Sequence, residues 1–269
     1  MTQKPTKRSH TVQKAYLKQF STNPKEGNPK VKVYDKKRDK LFIASVQDVT
    51  VENHFYKIPL EFVEGFVKKF PEYKDFFKTD FVEEYFNKNF EIPYVNMINE
   101  FFSKRYAPND RLDYIPFKVV FSLYITIQYL RTRNKRKTLE DYFSSFEIEK
   151  EYQPLIHFII LLNDKDKLKS FGNSLYDRLW KIYVNETSIP FKTSDNPVVV
   201  AENGEIAFPF SSKYLIVISN SIFNENNIEE DLTLESMIDR DSVKYYNRLQ
   251  EEQCEFQTIW EEDVNAPLC

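Results

Sequence analysis

The chain has 269 residues, of which 38 are basic and 41 acidic, so its formal net charge is −3 and no global field attracts nucleic acid or anionic lipid. Its 24 phenylalanines and 17 tyrosines indicate a globular protein with an aromatic core, and its 4 glycines leave no GxGxxG or GxxxxGKS/T phosphate loop. The sequence has no apolar run of about 18 residues, no apolar signal core and only 2 cysteines, so we expect a cytoplasmic protein without a membrane partner.

The first sheet structure predicted from the N-terminus is a β-hairpin. Valines and lysines alternate over residues 30–35 (KVKVYD), and a second apolar stretch, Phe42–Val46, follows the charged turn Lys36–Lys40. Val49–Ile58 adds a third extended piece. A short helix or capped turn is predicted before the hairpin, over His10–Phe20.

A long helical part follows, from Pro59 onward. Pro93 interrupts an apolar stripe, and we expect it to kink the helix or to start a new one, because proline lacks a backbone N–H donor. The strongest predicted helix is Phe117–Arg133. Three further helices are predicted from apolar spacing: Leu139–Phe146, Glu151–Leu162 and Leu168–Glu186.

The C-terminal part changes to short β-branched segments, with a hairpin turn at Glu202–Gly204 and a last helix from Ser242 to about Trp260. The pattern predicts an α+β protein that is predominantly α-helical, with a helical core and small antiparallel β segments from both ends sharing one sheet. We expect one domain over 1–269, made of the N-terminal hairpin at 30–58, the helical core at 59–187 and the C-terminal segments at 188–269.

Several polar residues lie on faces that are otherwise apolar. Phe117, Phe121, Tyr124, Gln128 and Arg131 share one side of the strongest helix. A buried charge needs a partner, so this spacing predicts a buried polar cluster. Gln128 and Arg131, with Arg133 nearby, would bind an anion or a phosphate, or would form a packing network.

Glu91 lies on the apolar side of its predicted helix. It is interpreted either as a metal ligand or general base, or as the buried ion-pair partner of Arg131 or Arg133.

A second group of candidates lies in the turn Thr193–Pro197. Asp-Asn-Pro favours a turn, and turns between strands often present catalytic carboxylates. Asp195 is therefore a candidate metal ligand or base, or it simply holds the turn. Ser194 and Asn196 flank it, and Asn247 on the last helix completes the cluster or caps a strand.

The chain resembles the bacterial domain-of-unknown-function family 4238. Short segments in the family's order carry the resemblance: His10, Tyr16, Leu17 and Phe20, with Gln13 where the family has Pro; Val33–Asp35; the partial match His54–Tyr56; Glu91; Gln128–Thr132; Thr193–Val198; and Val243 with Asn247. The resemblance implies a role in bacterial defence or in a toxin-like system. It also strengthens the interpretation of His10 as a general acid–base residue or metal ligand, against a structural hydrogen bond.

Three functions remain open. The first is phosphodiester cleavage of nucleic acid, in which His10, Glu91 and Asp195 hold Mg²⁺ or Mn²⁺ or share acid–base work, while Gln128, Arg131 and Arg133 neutralise phosphate. The second is a non-catalytic module that binds an anionic ligand such as a nucleotide, or a partner protein of a defence operon. The third is a transferase or hydrolase acting on a nucleotide-like or NAD-like substrate.

Overall fold

A computed structural model describes residues 8–53, 57–75, 77–104, 106, 110, 112, 115–133, 135, 137, 138, 152, 172–222 and 228–262. The helices are α1 (Lys14–Leu17), α2 (Leu60–Lys69), α3 (Phe81–Phe86), α4 (Ile92–Lys104), α5 (Ile115–Arg131) and α6 (Arg240–Gln253). The strands are β1 (Arg8–His10), β2 (Lys30–Asp35), β3 (Lys40–Ser45), β4 (Val51–Asn53), β5 (Arg178–Asn185), β6 (Thr193–Ser194), β7 (Val199–Val200), β8 (Ile206–Pro209), β9 (Tyr214–Ile222), β10 (Thr233–Met237) and β11 (Gln257–Trp260).

Among the described residues the strands form three sheets, of two, five and four strands, and 44% of these residues are helical and 25% lie in strands. The prediction of a predominantly helical protein with small antiparallel segments is therefore wrong. In addition, β10 pairs with β5 in parallel. The five-stranded sheet has the order β10-β5-β9-β8-β7, so β5 lies inside it.

The main error concerns β5, which apolar spacing assigned to the helix Leu168–Glu186. Residues 172–176 are helical, and the chain then becomes extended at Arg178. Trp180, Ile182 and Val184, two residues apart, are buried. The strands that pair with β5, which are β9 and β10, lie far along the chain. No local sequence pattern could therefore show that strand pairing would override the helical spacing of the apolar residues.

The N-terminal hairpin is present and belongs to a sheet completed from the C-terminus. β2 pairs antiparallel with β3, with Lys30 opposite Ser45 and Asp35 opposite Lys40. The sheet continues through β11 to β6, in the order β3-β2-β11-β6. Of the C-terminal β segments that were predicted to share this sheet, only β6 does so, because β7, β8 and β9 lie in the five-stranded sheet and β11 was predicted as helix. The third extended piece instead pairs, as β4, with β1.

The C-terminal helix is shorter than predicted. α6 begins after Asp239, whose side chain accepts hydrogen bonds from the N–H groups of Asp241 and Ser242. It ends at Gln253, and the last four residues of the predicted helix form β11 instead. The turn at Glu202–Gly204 is present, with Gly204 at φ +80° between β7 and β8.

The helical elements position the site. α5 is the predicted Phe117–Arg133 helix, and α4 follows directly on a π-helical turn, Asn87–Glu91. Pro93 is the second residue of α4. Its missing N–H therefore falls where the hydrogen-bond pattern changes from π-helical to α-helical. The predicted helix Leu139–Phe146 lies outside the described residues, and of Glu151–Leu162 only Tyr152 is described.

One buried cluster connects α1, α4 and α5 with the two larger sheets. It contains Tyr16, Tyr94, Phe121, Phe208 and Ile259. The Tyr16 hydroxyl lies 2.6 Å from the Pro209 oxygen and 2.7 Å from Thr193 Oγ1. This packing fixes the N-terminal segment, which carries His10, against both sheets.

Candidate functional site

Arg131, the last residue of α5, ties three segments together. Its Nη1 donates to Glu91 Oε1 at 2.8 Å, and its Nη2 donates to the main-chain oxygen of His10 at 3.0 Å. The guanidinium lies 5.1 Å from the centroid of the Phe86 ring. The side chains of Arg131 and Glu91 are 4% and 20% exposed. The structure therefore brings His10, Glu91 and Arg131 together, and Glu91 forms the buried ion pair that was one of its two interpretations.

The His10 ring has a defined tautomer. Its Nδ1 lies 3.1 Å from the Val49 oxygen, and because a carbonyl oxygen can only accept, Nδ1 must carry a proton. In the neutral ring the basic lone pair is then on Nε2, and the ring is half-buried. This hydrogen bond fixes the orientation of the ring.

Glu83 belongs to the same cluster, although its sequence context did not single it out. Ser9 Oγ donates to Glu83 Oε2 at 3.0 Å. Burial raises the pKa of Glu83, the Ser9 bond and Arg131 oppose this, and Glu91 raises the pKa further. Arg131 thus forms its ion pair with Glu91 and acts on Glu83 only through its charge. The sequence feature that could have identified Glu83 is its separation of about two helical turns from Glu91.

A cleft of about 460 Å³ lies beside this cluster. Gln13, Lys14 and Lys18 of the α1 segment line it, together with Asn87 and Glu91 of the π turn. Lys14 and Lys18 are half-buried and one helical turn apart. Within the described part of the chain no acidic group pairs with either lysine, and Glu91 is already paired with Arg131. The cleft is therefore positively charged.

Sequence reasoning missed these two lysines. The signal that could have found them is their i, i+4 spacing directly after His10, which places two cations on one side of a short helix.

Gln128 is completely buried behind the cleft. Neither of its amide atoms has a hydrogen-bond partner among the described residues, and the same holds for the Tyr94 hydroxyl. The Tyr94 and Tyr124 rings stack with centroids 3.6 Å apart, and Tyr124 donates to Gln13 Oε1 at 2.5 Å. Burial raises the pKa of Tyr124 well above its usual value, with Glu91 adding to the shift and Arg131 opposing it. Gln128 thus lies in the core, away from solvent.

Arg133 and Asp195 belong to a neighbouring cluster. Arg133 Nε donates to Glu52 Oε2 at 3.0 Å, and its guanidinium lies 5.3 Å from the Phe256 ring centroid. The Asp195 carboxylate accepts the N–H groups of Glu255, Phe256 and Gln257 at 2.9, 2.8 and 3.2 Å. Burial raises the pKa of Asp195, while these bonds and the charge of Arg133 oppose the shift. Asp195 therefore holds the entry into β11.

The other residues of the 193–197 turn attach α6 to the sheets. Ser194 Oγ lies 2.8 Å from Gln250 Oε1, and Asn196 Nδ2 donates to the Gln253 oxygen at 3.1 Å. Asn247 accepts the Lys192 N–H at 2.7 Å and donates to the Pro190 oxygen at 2.9 Å. Ser194, Asn196 and Asn247 thus make structural contacts rather than surrounding His10 and Glu91.

A strained residue lies between the two clusters. Thr50 has φ +54°, a left-handed conformation that β-branched residues rarely adopt. Its neighbour Val49 supplies the oxygen that His10 contacts, and the Val51 oxygen lies 3.5 Å from Arg133 Nη2. The Thr50 N–H donates to Gln257 Oε1 at 3.1 Å. Strain of this kind persists where its surroundings hold it, often at functional sites.

The three candidate metal ligands do not form one group. His10 and Glu91 meet at Arg131, whereas Asp195 binds the N–H groups at β11. In the ranges that the structure describes, no group of three or more histidines, cysteines or carboxylates is placed to hold a metal ion. The arrangement that is present is the Glu91–Arg131 ion pair, bound to the His10 main chain, beside a cleft lined by two lysines.

Fold and site together define an α+β protein in which a buried arginine pairs with one carboxylate and binds the main-chain oxygen of a histidine, next to a cleft lined by lysines. Residues 8–264 match the model of a family described as "Protein of unknown function (DUF4238)", and the chain belongs to this family. No curated protein and no solved structure matches it. Among the described residues, none of the helices has the length and apolarity to cross a membrane.

Proposed function

We propose that this protein binds a phosphate-bearing ligand, of the nucleotide or nucleic-acid class, in the cleft between α1 and the π turn. The observation that supports it is the pair Lys14 and Lys18, which face a cleft whose one carboxylate, Glu91, is neutralised by Arg131. Two cations without acidic partners in the described part of the chain favour an anion. Arg131 keeps the cleft cationic by occupying Glu91.

The other lining groups suit the same ligand. Gln13, Asn87 and Asn96 add amide donors and acceptors around the lysines. A volume of about 460 Å³ is within the usual range of small-molecule sites, about 300–1,000 Å³. Hydrogen bonds to a charged oxygen contribute about 1.5–3 kcal/mol each, so each lysine is expected to contribute about tenfold or more in affinity.

Calorimetric titration with inorganic pyrophosphate and with ADP tests this proposal. The native protein should bind at least one of them, and its melting temperature should rise as ligand is added. Replacing Lys14 and Lys18 by glutamine should weaken binding by about tenfold or more for each removed charge. The same change at the exposed Lys68 and Lys74 removes equal charge elsewhere and serves as control. Equal affinities of the two double variants would rule out the cleft as the site.

Phosphodiester cleavage at the same cluster is the second candidate function. It is favoured by the raised pKa of Glu83, which burial produces, beside the ion-paired Glu91 and the His10 ring with its basic Nε2. A carboxyl group with a raised pKa, and a histidine next to the serine that binds this carboxyl group, are groups of the kind that general acid–base cleavage uses. Arg131 would position His10 and Glu91 rather than contact the substrate, because its side chain is only 4% exposed and already binds Glu91 and the His10 oxygen.

Labelled RNA and single-stranded DNA, incubated with the protein in EDTA, Mg²⁺ or Mn²⁺, test for cleavage. Glu83→Gln and His10→Ala should each lower the rate by about 100-fold or more. Glu84→Gln alters the exposed neighbour of Glu83 and should have no effect. If all three variants cleave at the native rate, the cluster is not the catalytic site.

A role as a defence or toxin-like effector in bacteria is part of the same proposal. Its support is the cationic cleft beside the Glu91–Arg131 pair, which suits a phosphate-bearing target. Induced expression in bacterial cells should slow growth with the native protein and not with Glu83→Gln. Equal growth with the two would argue against a toxic activity at this cluster.

A further inference from the structure

The outer face of the four-stranded sheet carries partly exposed aromatic and aliphatic side chains, whereas the apolar side chains of its inner face are buried. Strand pleating places Val31, Val33 and Ile259 inward, where they are buried in the core. Cross-strand register places the alternate residues on the opposite face: Lys32 opposite Trp260 and Ile43, and Tyr34 opposite Leu41. Leu41 is 52% and Ile43 36% exposed, and Tyr34 and Trp260 are half-buried.

α6 covers only one side of this outer face. Ser194 on β6 contacts Gln250 of α6, and Thr258 on β11 contacts Cys254 directly after it, and both are buried. None of the described helices covers the β2–β3 side in this way. Two aromatic rings on neighbouring strands, Tyr34 on β2 and Trp260 on β11, therefore lie on the same face at diagonal positions, a separation that side chains of this size can bridge.

The β2–β3 hairpin, which forms the open side, is also strongly basic. Residues 30–45 contain six basic side chains, at 30, 32, 36, 37, 38 and 40, against Asp35 and Asp39. Asp35 accepts the Arg38 N–H and Asp39 accepts the Tyr34 hydroxyl at 2.7 Å, so both acidic groups are occupied within the hairpin. A local net charge of +4 on a chain of net charge −3 selects an anionic partner.

Trp260 extends the same surface into a second cleft, of about 750 Å³, which Lys32, Lys192 and Lys213 also line. The Lys192 ammonium lies 4.4 Å from the Trp260 ring centroid and 2.6 Å from Glu251. Glu186, Glu261 and Glu262 line this cleft too, so its charge is balanced. The cationic part of the surface is thus the hairpin, and the aromatic part connects the hairpin to the cleft.

We propose that this outer face is a platform for single-stranded nucleic acid, on which Tyr34 and Trp260 stack bases while the lysines of the β2–β3 hairpin contact phosphates. A sheet face with exposed aromatic rings and flanking cations is how proteins bind unpaired bases, because stacking needs a base face that a duplex does not offer. This platform is separate from the cleft at Lys14 and Lys18, and it stands whether or not that cleft binds phosphate.

Fluorescence anisotropy of labelled 12-residue oligo(U) and oligo(dT) with the full chain tests the proposal. Trp260→Ala and Tyr34→Ala should each weaken binding by about 5- to 100-fold, the range expected for loss of one stacked base. Trp260→Phe should retain most of the affinity, because it keeps a ring. Tyr73→Ala, which removes an aromatic side chain exposed elsewhere, should bind as the native protein does.

Salt dependence and cross-linking distinguish the phosphate-binding part of this platform from its base-stacking part. Replacing Lys30, Lys36 and Lys37 by serine should weaken binding and lower the slope of log K against log salt concentration by about 0.7 for each phosphate that is no longer bound. An oligonucleotide carrying 5-iodouracil should cross-link to Tyr34 or Trp260. The Lys68/Lys74 glutamine variant, which removes exposed charge elsewhere, should bind oligo(U) normally.

Three outcomes overturn the proposal: absence of oligonucleotide binding, equal affinity for a duplex of the same length, or unchanged affinity in both aromatic variants. Melting curves identify variants that do not fold. Tyr34→Leu, at a position open to solvent, keeps an apolar side chain without a stacking ring and therefore decides the question if Trp260→Ala is unstable.

Discussion

The ion pair of Glu91 and Arg131 is expected to be among the most sensitive interactions in the molecule. Glu91→Leu leaves the Arg131 guanidinium charged and 4% exposed, and removal of one partner from a buried pair costs about 3–5 kcal/mol. Arg131→Leu also removes the hydrogen bond to the His10 oxygen and the packing on Phe86, about 3 kcal/mol together. Total stabilities are only about 5–15 kcal/mol, so each change is large.

The double variant distinguishes this interaction from simple loss of packing. With both partners replaced by leucine no unpaired charge remains, so the two losses should not add, and a coupling energy of about 2 kcal/mol is expected. Urea unfolding, followed by the fluorescence of Trp180 and Trp260, measures the four free energies of the cycle. The exposed pair Lys244 and Asp241, with N and O atoms 2.8 Å apart, is the matched control and should couple by about 0.5 kcal/mol or less. A Glu91–Arg131 coupling as small as that of the control would refute the assignment of a buried, mutually dependent pair.

Three further predictions concern the residues around the site. Burial raises the pKa of Asp195 above its ordinary value of 3.8, so the folded state binds the carboxyl proton more tightly than the unfolded state does. The stability that this proton contributes is present below pH 3.8 and is lost as pH rises through the pKa of the folded state. Melting temperatures recorded across the acidic range should therefore show a smaller loss with rising pH in Asp195→Asn than in the native protein, and parallel curves would contradict this. Asn247→Ala leaves the Lys192 N–H and the Pro190 oxygen without their partner and should cost about 2–4 kcal/mol in urea unfolding, whereas the exposed Arg248→Ala should change stability by less than about 0.5 kcal/mol. Gly204→Ala should cost about 1–2 kcal/mol, because its φ of +80° disfavours a Cβ and that atom would lie 3.3 Å from Asn220 Nδ2; Gly27→Ala, with open space around it, should not destabilise the protein.

The elements that could be predicted are those whose pattern is complete within a short stretch. Val31 and Val33 alternate with lysines on both sides of a charged turn, and this pattern needs no distant partner to specify a hairpin. α5 was predictable because its apolar residues repeat over several turns. β5 was not, since Leu175, Leu179 and Ile182 satisfy a helical spacing and only β9 and β10 decide for the extended form. β11 was missed for the same reason, because it is held by β2 and β6.

The candidate site, like the fold, was predictable from the sequence only in part. Glu91 and Arg131 stood out because charges on an apolar helix face must be paired, and the structure pairs them with each other. Asp195 carried a turn signature, yet its carboxylate binds three backbone N–H groups of the chain entering β11, which no local pattern contains. Glu83, Lys14 and Lys18 were overlooked because their chemistry arises from neighbours that only folding supplies.

By itself, the sequence determined that this protein has an aromatic core, a basic hairpin, and polar side chains on helix faces that would have to be neutralised inside the molecule. Those properties follow from composition and local periodicity, which are fixed before any long-range contact forms. The tertiary structure alone decided which polar groups meet. Strand pairing joins segments from opposite ends of the chain, and burial then sets which carboxylate shares Arg131, which one binds backbone, and which cations are left facing an open cleft.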